Sequence, residues 1–106
     1  MRVYISGKIS GLDIKVAVSL FEKMENKLSA YGHIPVNPCK ILPYDPKHQW
    51  EDYMIEDIRA LFACDAIVML DNWHLSKGAK IEHAIAQQMG LDIYYPAMHK
   101  HILRVV

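Results

Sequence analysis

The segment Asp65–Leu70, with the sequence DAIVML, constrains the fold of this chain more than any other segment. Everything after its first residue is apolar, without the alternation that marks a strand with one face in water. Such a run predicts a strand covered on both faces, which is typical of a parallel sheet between two layers of helices. The flanking sequence should therefore alternate between strands and helices.

The rest of the chain alternates in that way, because β-forming runs are separated by segments with apolar residues every three or four positions. The other predicted strands are Arg2–Ser6, His33–Val36, Ile93–Tyr95 and, as a candidate fifth, His101–Val105. The predicted helices are Asp13–Tyr31, about His48–Ala63, and a third that opens after Ser76 and ends at Met89. We therefore predict a single α/β domain over residues 1–106, with three layers and a parallel sheet of four to five strands.

The charge balance excludes one class of partner. The chain has 12 Lys+Arg and 12 Asp+Glu, so its formal net charge is zero. Binding to polymeric nucleic acid requires a basic face that neutralises phosphates, and we expect none here. A neutral chain also does little to oppose association with its own copies, so we expect a homo-oligomer.

The remaining composition predicts a cytoplasmic protein without a metal or other cofactor. Cys39 and Cys64 form no CxxC pair, and free buried thiols in a reducing compartment are the favoured interpretation. The histidines are scattered without an HxxxH spacing, so a metal site is not expected. No secretory signal pattern opens the chain, and no apolar run approaches the length of about 20 residues that spans a bilayer, so we expect no membrane partner.

Two acidic residues interrupt the apolar faces of the predicted helices. Asp57 follows Met54 by three positions on helix two, and Glu82 follows Gly78 by four positions on helix three. A buried ionised carboxylate is costly unless it is hydrogen-bonded, so each position needs an explanation. Either residue alone could lie at the edge of its stripe and reach solvent or a neighbouring basic residue. The two together, beside the loops described next, favour a functional site.

Loops at the carboxyl ends of the strands of a parallel sheet are where ligands bind. The first, Gly7–Gly11, is bounded by glycines and can offer backbone N–H groups to an anion. Ser76 opens helix three, where an N-cap serine and the positive end of the helix dipole favour phosphate or carboxylate, although an ordinary N-cap serine is the plainer interpretation. Glu82 lies about 6 Å along the axis from Gly78, near the adjacent part of any anion held there.

A carboxylate about one sugar ring away from a phosphate site can attack an anomeric carbon. Glycosyl transfer passes through an oxocarbenium-like transition state, which a carboxylate can trap as a covalent glycosyl-enzyme. Under this hypothesis Glu82 is the carboxylate that attacks. Asp57 would then protonate or position the leaving base.

Three segments resemble the nucleoside 2-deoxyribosyltransferase superfamily and, more narrowly, its small branch DUF4406. They are YISGKISG at Tyr4–Gly11, EDIRALFACDAIVML at Glu56–Leu70 and SKGAKIEHAIAQQMG at Ser76–Gly90. The resemblance extends from Met1 to about Tyr95. It implies a flavodoxin-like, Rossmannoid fold and cleavage of N-glycosidic bonds in deoxynucleosides or their monophosphates.

The resemblance also implies a role for each matching residue. Glu82 matches the nucleophile, Tyr4 the tyrosine that orients it, and Asp57 the helix carboxylate near the sugar and base. Ser76 and Gly78 match the segment that holds the 5′ end of the substrate. The first-loop residues that match a phosphate-lining segment are Gly7, Lys8, Ile9 and Ser10.

Four side chains, two lysines and two tryptophans, bear on the 5′ group and the base of the substrate without identifying either. Lys8 and Lys77 would favour a 5′-phosphate over a free hydroxyl, unless they are simply solvated loop lysines. Trp50 and Trp73 could stack on a base, although tryptophan is more often part of a core or an interface. Neither pair identifies the base.

The sequence thus predicts a small nucleoside or nucleotide as the partner, under two hypotheses. The chain is either a 2-deoxyribosyltransferase or N-glycoside hydrolase that forms a covalent glycosyl-Glu82 intermediate, or a non-catalytic nucleotide-binding module. A structural or interaction domain is a third interpretation that leaves the inward carboxylates unexplained. We expect copies of the chain to associate through the apolar, methionine-bearing faces of helices two and three.

Overall fold

A computed structural model describes residues 1–104 and shows a parallel sheet with the strand order β2-β1-β3-β4. Its strands are β1 (Arg2–Ser6), β2 (Ile34–Val36), β3 (Ala66–Met69) and β4 (Asp92–Tyr94). Its helices are α1 (Ile14–Ala30), α2 (Trp50–Leu61), α3 (Lys77–Met89) and the short α4 (His99–Ile102). The prediction of a flavodoxin-like α/β fold is confirmed.

The sheet is covered on both faces, as its central strands require. Every residue of β3 is fully buried, because helices lie over both of its sides. One layer packs α1 and α4 against the sheet, and its core contains Phe21 and Ile102. The opposite layer packs α2 and α3, and its core contains Leu61 and Ala86 beside Tyr4 of β1.

Local sequence sets the ends of the long helices. The Asp13 side chain accepts the Lys15 N–H at 2.8 Å before α1, and the Ser76 hydroxyl accepts the Ala79 N–H at 3.1 Å before α3. Both contacts satisfy backbone donors that a helix start leaves without partners. Gly90 ends α3 in the left-handed conformation, at φ 73°. The predicted third helix is confirmed at both ends.

The predicted fifth strand is wrong. Residues 99–102 form α4, and Val105, the last residue of that prediction, lies outside the described residues. Pro96 opens a helical turn directly after β4, since proline fixes its backbone and cannot donate to a strand ladder. The His99 imidazole contacts the Met69 carbonyl oxygen at 2.7 Å, and Ile102 is buried against the sheet.

Two predicted apolar stripes are narrower than expected. Helix α1 buries positions spaced four, three and four apart, which are Ala17, Phe21, Met24 and Leu28. The spacing of three and four residues also predicts Val16 and Leu20 on this stripe, but they are exposed. The same spacing predicts Phe62 on the apolar stripe of α2, but Phe62 lies just after the end of that helix and is 60% exposed. Within residues 1–104, none of the helices is both long and apolar enough to cross a bilayer. The cytoplasmic location stays a prediction.

Candidate functional site

A cavity of about 450 Å³ lies at the carboxyl ends of β1 and β2 and beside the start of α3. The chain leaves β1 toward β2 on one side and returns to β3 on the other, so the strand order reverses between β1 and β3, and segments that follow both of these strands line the cavity. The volume falls in the range of about 300–1,000 Å³ that is usual for small-molecule sites. The cavity lies where ligands of parallel sheets bind.

The Glu82 carboxylate lines this cavity and is held by two donors from the sheet. Glu82 is only 4% exposed. The Tyr4 hydroxyl donates to Oε2 at 2.5 Å, and the Ser6 hydroxyl donates to Oε1 at 2.7 Å. Because side chains alternate along a strand, Tyr4 and Ser6 leave β1 on the same side and reach both carboxylate oxygens. The expectation that Glu82 turns inward is confirmed.

Burial makes Glu82 titrate near neutral pH. Removal of the carboxylate from water raises its pKa to about 7, although the hydrogen bonds from Tyr4 and Ser6 act in the opposite direction. The burial of Tyr4 itself, followed by the charges of Glu82 and Asp57, raises the pKa of the Tyr4 hydroxyl well above its ordinary value. Tyr4 therefore stays a donor whenever Glu82 is charged.

Asp57 brings a second carboxyl group into the cavity from α2. It is 8% exposed. Burial raises the pKa of Asp57 to about 8, with smaller contributions from the charges of Glu82 and Glu56. Two interacting carboxyl groups that titrate near neutral pH can divide the roles of acid and base between them.

The cavity brings together most of the residues that the sequence singles out. Its lining includes Asp57 and Glu82 together with the predicted substrate-binding residues Gly7, Ile9, Ser10, Ser76 and Gly78. Tyr4 lies behind Glu82, to which it is hydrogen-bonded. Binding of a substrate by these residues stays a prediction.

Neither of the two lysines considered for a phosphate is among the residues that line the cavity. The Lys8 ammonium donates to the Leu75 carbonyl oxygen at 3.2 Å, and its backbone N–H donates to Asn72 at 2.9 Å. The Lys77 ammonium lies 4.5 Å from the centre of the Trp50 ring, a distance typical of a cation–π contact. Both side chains have partners within the protein.

The two glycines of the site allow close packing of its walls. A Cβ atom at Gly7 would lie 2.8 Å from a side-chain carbon of Leu70, closer than packed carbon atoms come. A Cβ atom at Gly78 would lie 3.0 Å from the Met54 sulfur. Gly7 thus lets the first loop pack on the end of β3, and Gly78 lets α3 approach α2.

The two tryptophans have different surroundings. Trp50 lines the cavity, as a base-stacking role would require. Trp73 packs against His83, with ring centres 4.6 Å apart, and against Tyr95 at 6.1 Å. Trp73 is absent from the residues that line the cavity.

Sequence reasoning missed Ser6 and most of the apolar wall. The alternation of side chains along β1 could have identified Ser6, since it lies two positions after Tyr4. The wall residues that were not predicted as part of the site include Cys39, Leu42, Tyr44, Tyr53 and Met54. Burial, followed by the charges of Asp57 and Glu25, raises the pKa of Cys39 to about 11, so this thiol stays protonated at neutral pH.

In the part of the chain that the structure describes, no group of three or more His, Cys, Asp or Glu residues is arranged so that it could hold a metal ion.

Comparison with known proteins identifies a family without an assigned activity. No curated protein matches the sequence. A family model described as a domain of unknown function, DUF4406, matches residues 1–95, which include every strand of the sheet and the whole cavity lining. The chain therefore belongs to the DUF4406 family.

Proposed function

We propose that this protein cleaves the N-glycosidic bond of a nucleoside or its 5′-monophosphate, or transfers the sugar to another base. The observation that carries the proposal is the buried Glu82 carboxylate at a small-molecule cavity, held by Tyr4 and Ser6. The resemblance of the sequence to nucleoside 2-deoxyribosyltransferases favours the same chemistry. The link to those transferases is part of the proposal.

Glu82 is the nucleophile in this mechanism. One of its carboxylate oxygens attacks C1′ of the sugar, and the bond between C1′ and the base nitrogen breaks. Tyr4 and Ser6 occupy one acceptor position on each oxygen, which leaves a second lone pair on each for attack. The fixed carboxylate stabilises the developing positive charge on the sugar without reorganising.

Asp57 is the general acid in this mechanism. Its raised pKa of about 8 keeps it protonated at neutral pH, so it can give its proton to the departing base as that base takes the bonding electron pair. Water or a second base then attacks C1′ of the glycosyl ester, and the bond between C1′ and the Glu82 oxygen breaks, which returns its electron pair to the carboxylate. The attacking group returns a proton to the Asp57 carboxylate, which restores the starting state.

The walls of the cavity suit the two ends of such a substrate. Trp50, Tyr44 and Tyr53 offer aromatic surface to a planar base. Ser76 and the first loop offer hydroxyl and backbone N–H groups to the 5′ end, at the positive end of the α3 dipole. The two carboxyl groups come from α2 and α3 and line the same cavity as these features.

Incubation of the protein with a panel of nucleosides tests the proposal. We expect free base from at least one 2′-deoxynucleoside or its 5′-monophosphate, detected by chromatography. Addition of a second base distinguishes transfer from hydrolysis, since only transfer yields a new nucleoside. Binding of panel members without any release of base would refute the enzyme and support the non-catalytic nucleotide-binding module.

The predicted contact through the methionine-bearing face of α2 is not available, because Met54 is 8% exposed and lines the cavity. We propose instead that copies of the chain associate through the outer surfaces of α2 and α3 and the residue that follows α2. Ile55 is 54% exposed, Phe62 is 60% exposed and Met89 is 37% exposed. Burial of these side chains between copies would remove apolar surface from water. Sedimentation at micromolar concentration should give a mass above the 12.2 kDa of one chain, and Phe62→Glu should lower it. A monomer at that concentration would contradict the proposal.

A further inference from the structure

We propose that Ser6 is a positioning residue, which holds the Glu82 carboxylate in its charged form and directed toward the cavity. Its hydroxyl lies 2.7 Å from Glu82 Oε1, on the opposite oxygen from the one that Tyr4 binds. This inference rests on the proposed function for its catalytic consequence. The effect of Ser6 on Glu82 itself can be measured without any substrate.

The position of Ser6 in the fold makes this contact rigid. Ser6 is fully buried at the end of β1, which pairs with a strand on each side. Its carbonyl oxygen accepts the Leu70 N–H at 2.8 Å, so its backbone is fixed to the segment after β3. Glu82 Oε1 is the acceptor that the structure gives the Ser6 hydroxyl. Because the backbone of Ser6 is fixed, its hydroxyl both binds the Glu82 carboxylate and limits the rotation of that carboxylate.

The groups around Glu82 make the Ser6 hydroxyl important for its charge. Tyr4 faces Glu82 from β1, and Asp57 faces the same cavity from α2, with Cys39 nearby. Of these, Asp57 and Cys39 give Glu82 no hydrogen bond, and a charged Asp57 would repel it. His83, the next residue on α3, is bonded to Tyr95 at 2.7 Å instead. The two strand hydroxyls are therefore the hydrogen-bond donors that the described structure gives the charged form of Glu82.

Ser6→Ala should raise the titration midpoint of Glu82 by about one pH unit, because a donor to the charged form is lost. The probe is the side-chain carboxyl carbon of glutamate, labelled with ¹³C and followed by NMR between pH 4 and pH 9. Glu82→Gln identifies the resonance by removing it. Ser19→Ala, at an exposed serine on α1, is the matched control and should leave the midpoint unchanged.

The same variant should affect the reaction in a way that a purely structural change would not. We expect the acid limb of the kcat/KM profile to move to higher pH with the Glu82 midpoint, and kcat to fall about tenfold at neutral pH while KM changes little. If Ser6→Ala does not fold, Ser6→Cys keeps a side chain of similar size with a much weaker donor, and its midpoint should also rise.

A Glu82 midpoint that stays within about 0.3 unit of the parent value in these variants would overturn the inference. The result is independent of catalysis, because the titration is made on the protein without substrate. Failure of the parent protein to release base would refute the proposed function and leave the titration as the decisive measurement on Ser6. An active parent with an unmoved midpoint would refute the role of Ser6 alone.

Discussion

Glu82→Ala is expected to abolish release of base, with a loss of rate on the order of 10³-fold or more, because the proposed nucleophile is removed and Asp57, the other carboxyl group of the cavity, is protonated at neutral pH. Glu82→Gln should be equally inactive, since an amide is a poor nucleophile. The glutamine side chain also keeps the volume of the glutamate and one acceptor for the strand hydroxyls. Chromatographic measurement of free base, with the most active member of the substrate panel, gives the rates.

Folding must be measured alongside activity in this experiment. Glu82→Ala leaves the buried hydroxyls of Tyr4 and Ser6 without their acceptor, which alone costs about 1–3 kcal/mol for each group. Circular dichroism and thermal melting therefore accompany every variant. Glu22→Gln, at an exposed glutamate on α1, is the matched control and should keep full activity. Undiminished release of base from a folded Glu82 variant would remove this residue from the mechanism.

The free energy of unfolding is expected to fall as pH rises from about 5 to about 8, by an amount on the order of 6 kcal/mol. The folded protein raises the pKa of Glu82 from 4.5 to about 7 and that of Asp57 from 3.8 to about 8. Between the unfolded and folded values, the folded state therefore binds more protons than the unfolded state. Linkage then requires stability to decrease with increasing pH, and the protein should be more stable in mild acid than at pH 8.

Urea denaturation across this pH range checks the prediction. Asp57→Asn and Glu82→Gln each remove one titrating group. The free energy of unfolding of the double variant should therefore change much less with pH than that of the parent. Asp71→Asn, at an exposed aspartate, is the control that should follow the parent. If the free energy of unfolding falls equally with pH in the parent and in the double variant, the two carboxyl groups do not titrate as their burial implies.

Sequence reasoning succeeded where periodicity fixes the direction of a side chain. The uninterrupted apolar run before Asp71 predicted β3 correctly, because only a strand between two helical layers buries every position. The position of Glu82 on its helix predicted that it faces inward, since the direction of a side chain on a helix follows from its spacing. Both inferences depend on a regular backbone.

Sequence patterns are insufficient where tertiary contacts decide the structure. Lys8 is on a loop, and its direction depends on Leu75 and Asn72, which are distant in sequence. The segment after Tyr95 has an apolar pattern too short to distinguish a strand from a helix, and Pro96 together with the burial of Ile102 favours the helix. The apolar wall of the cavity combines residues from several elements, so no local pattern identifies it.

The contact between Gly78 and Met54 has a consequence for the shape of the cavity. Glu82 is hydrogen-bonded to the sheet through Tyr4 and Ser6, whereas Asp57 lies on α2. A methyl group at position 78 would lie 3.0 Å from the Met54 sulfur, so the Met54 side chain, which lines the same cavity, would have to shift. The absence of a side chain at Gly78 therefore lets Met54 keep its place in the cavity wall, and it helps to set the shape that a sugar would meet under the proposed function.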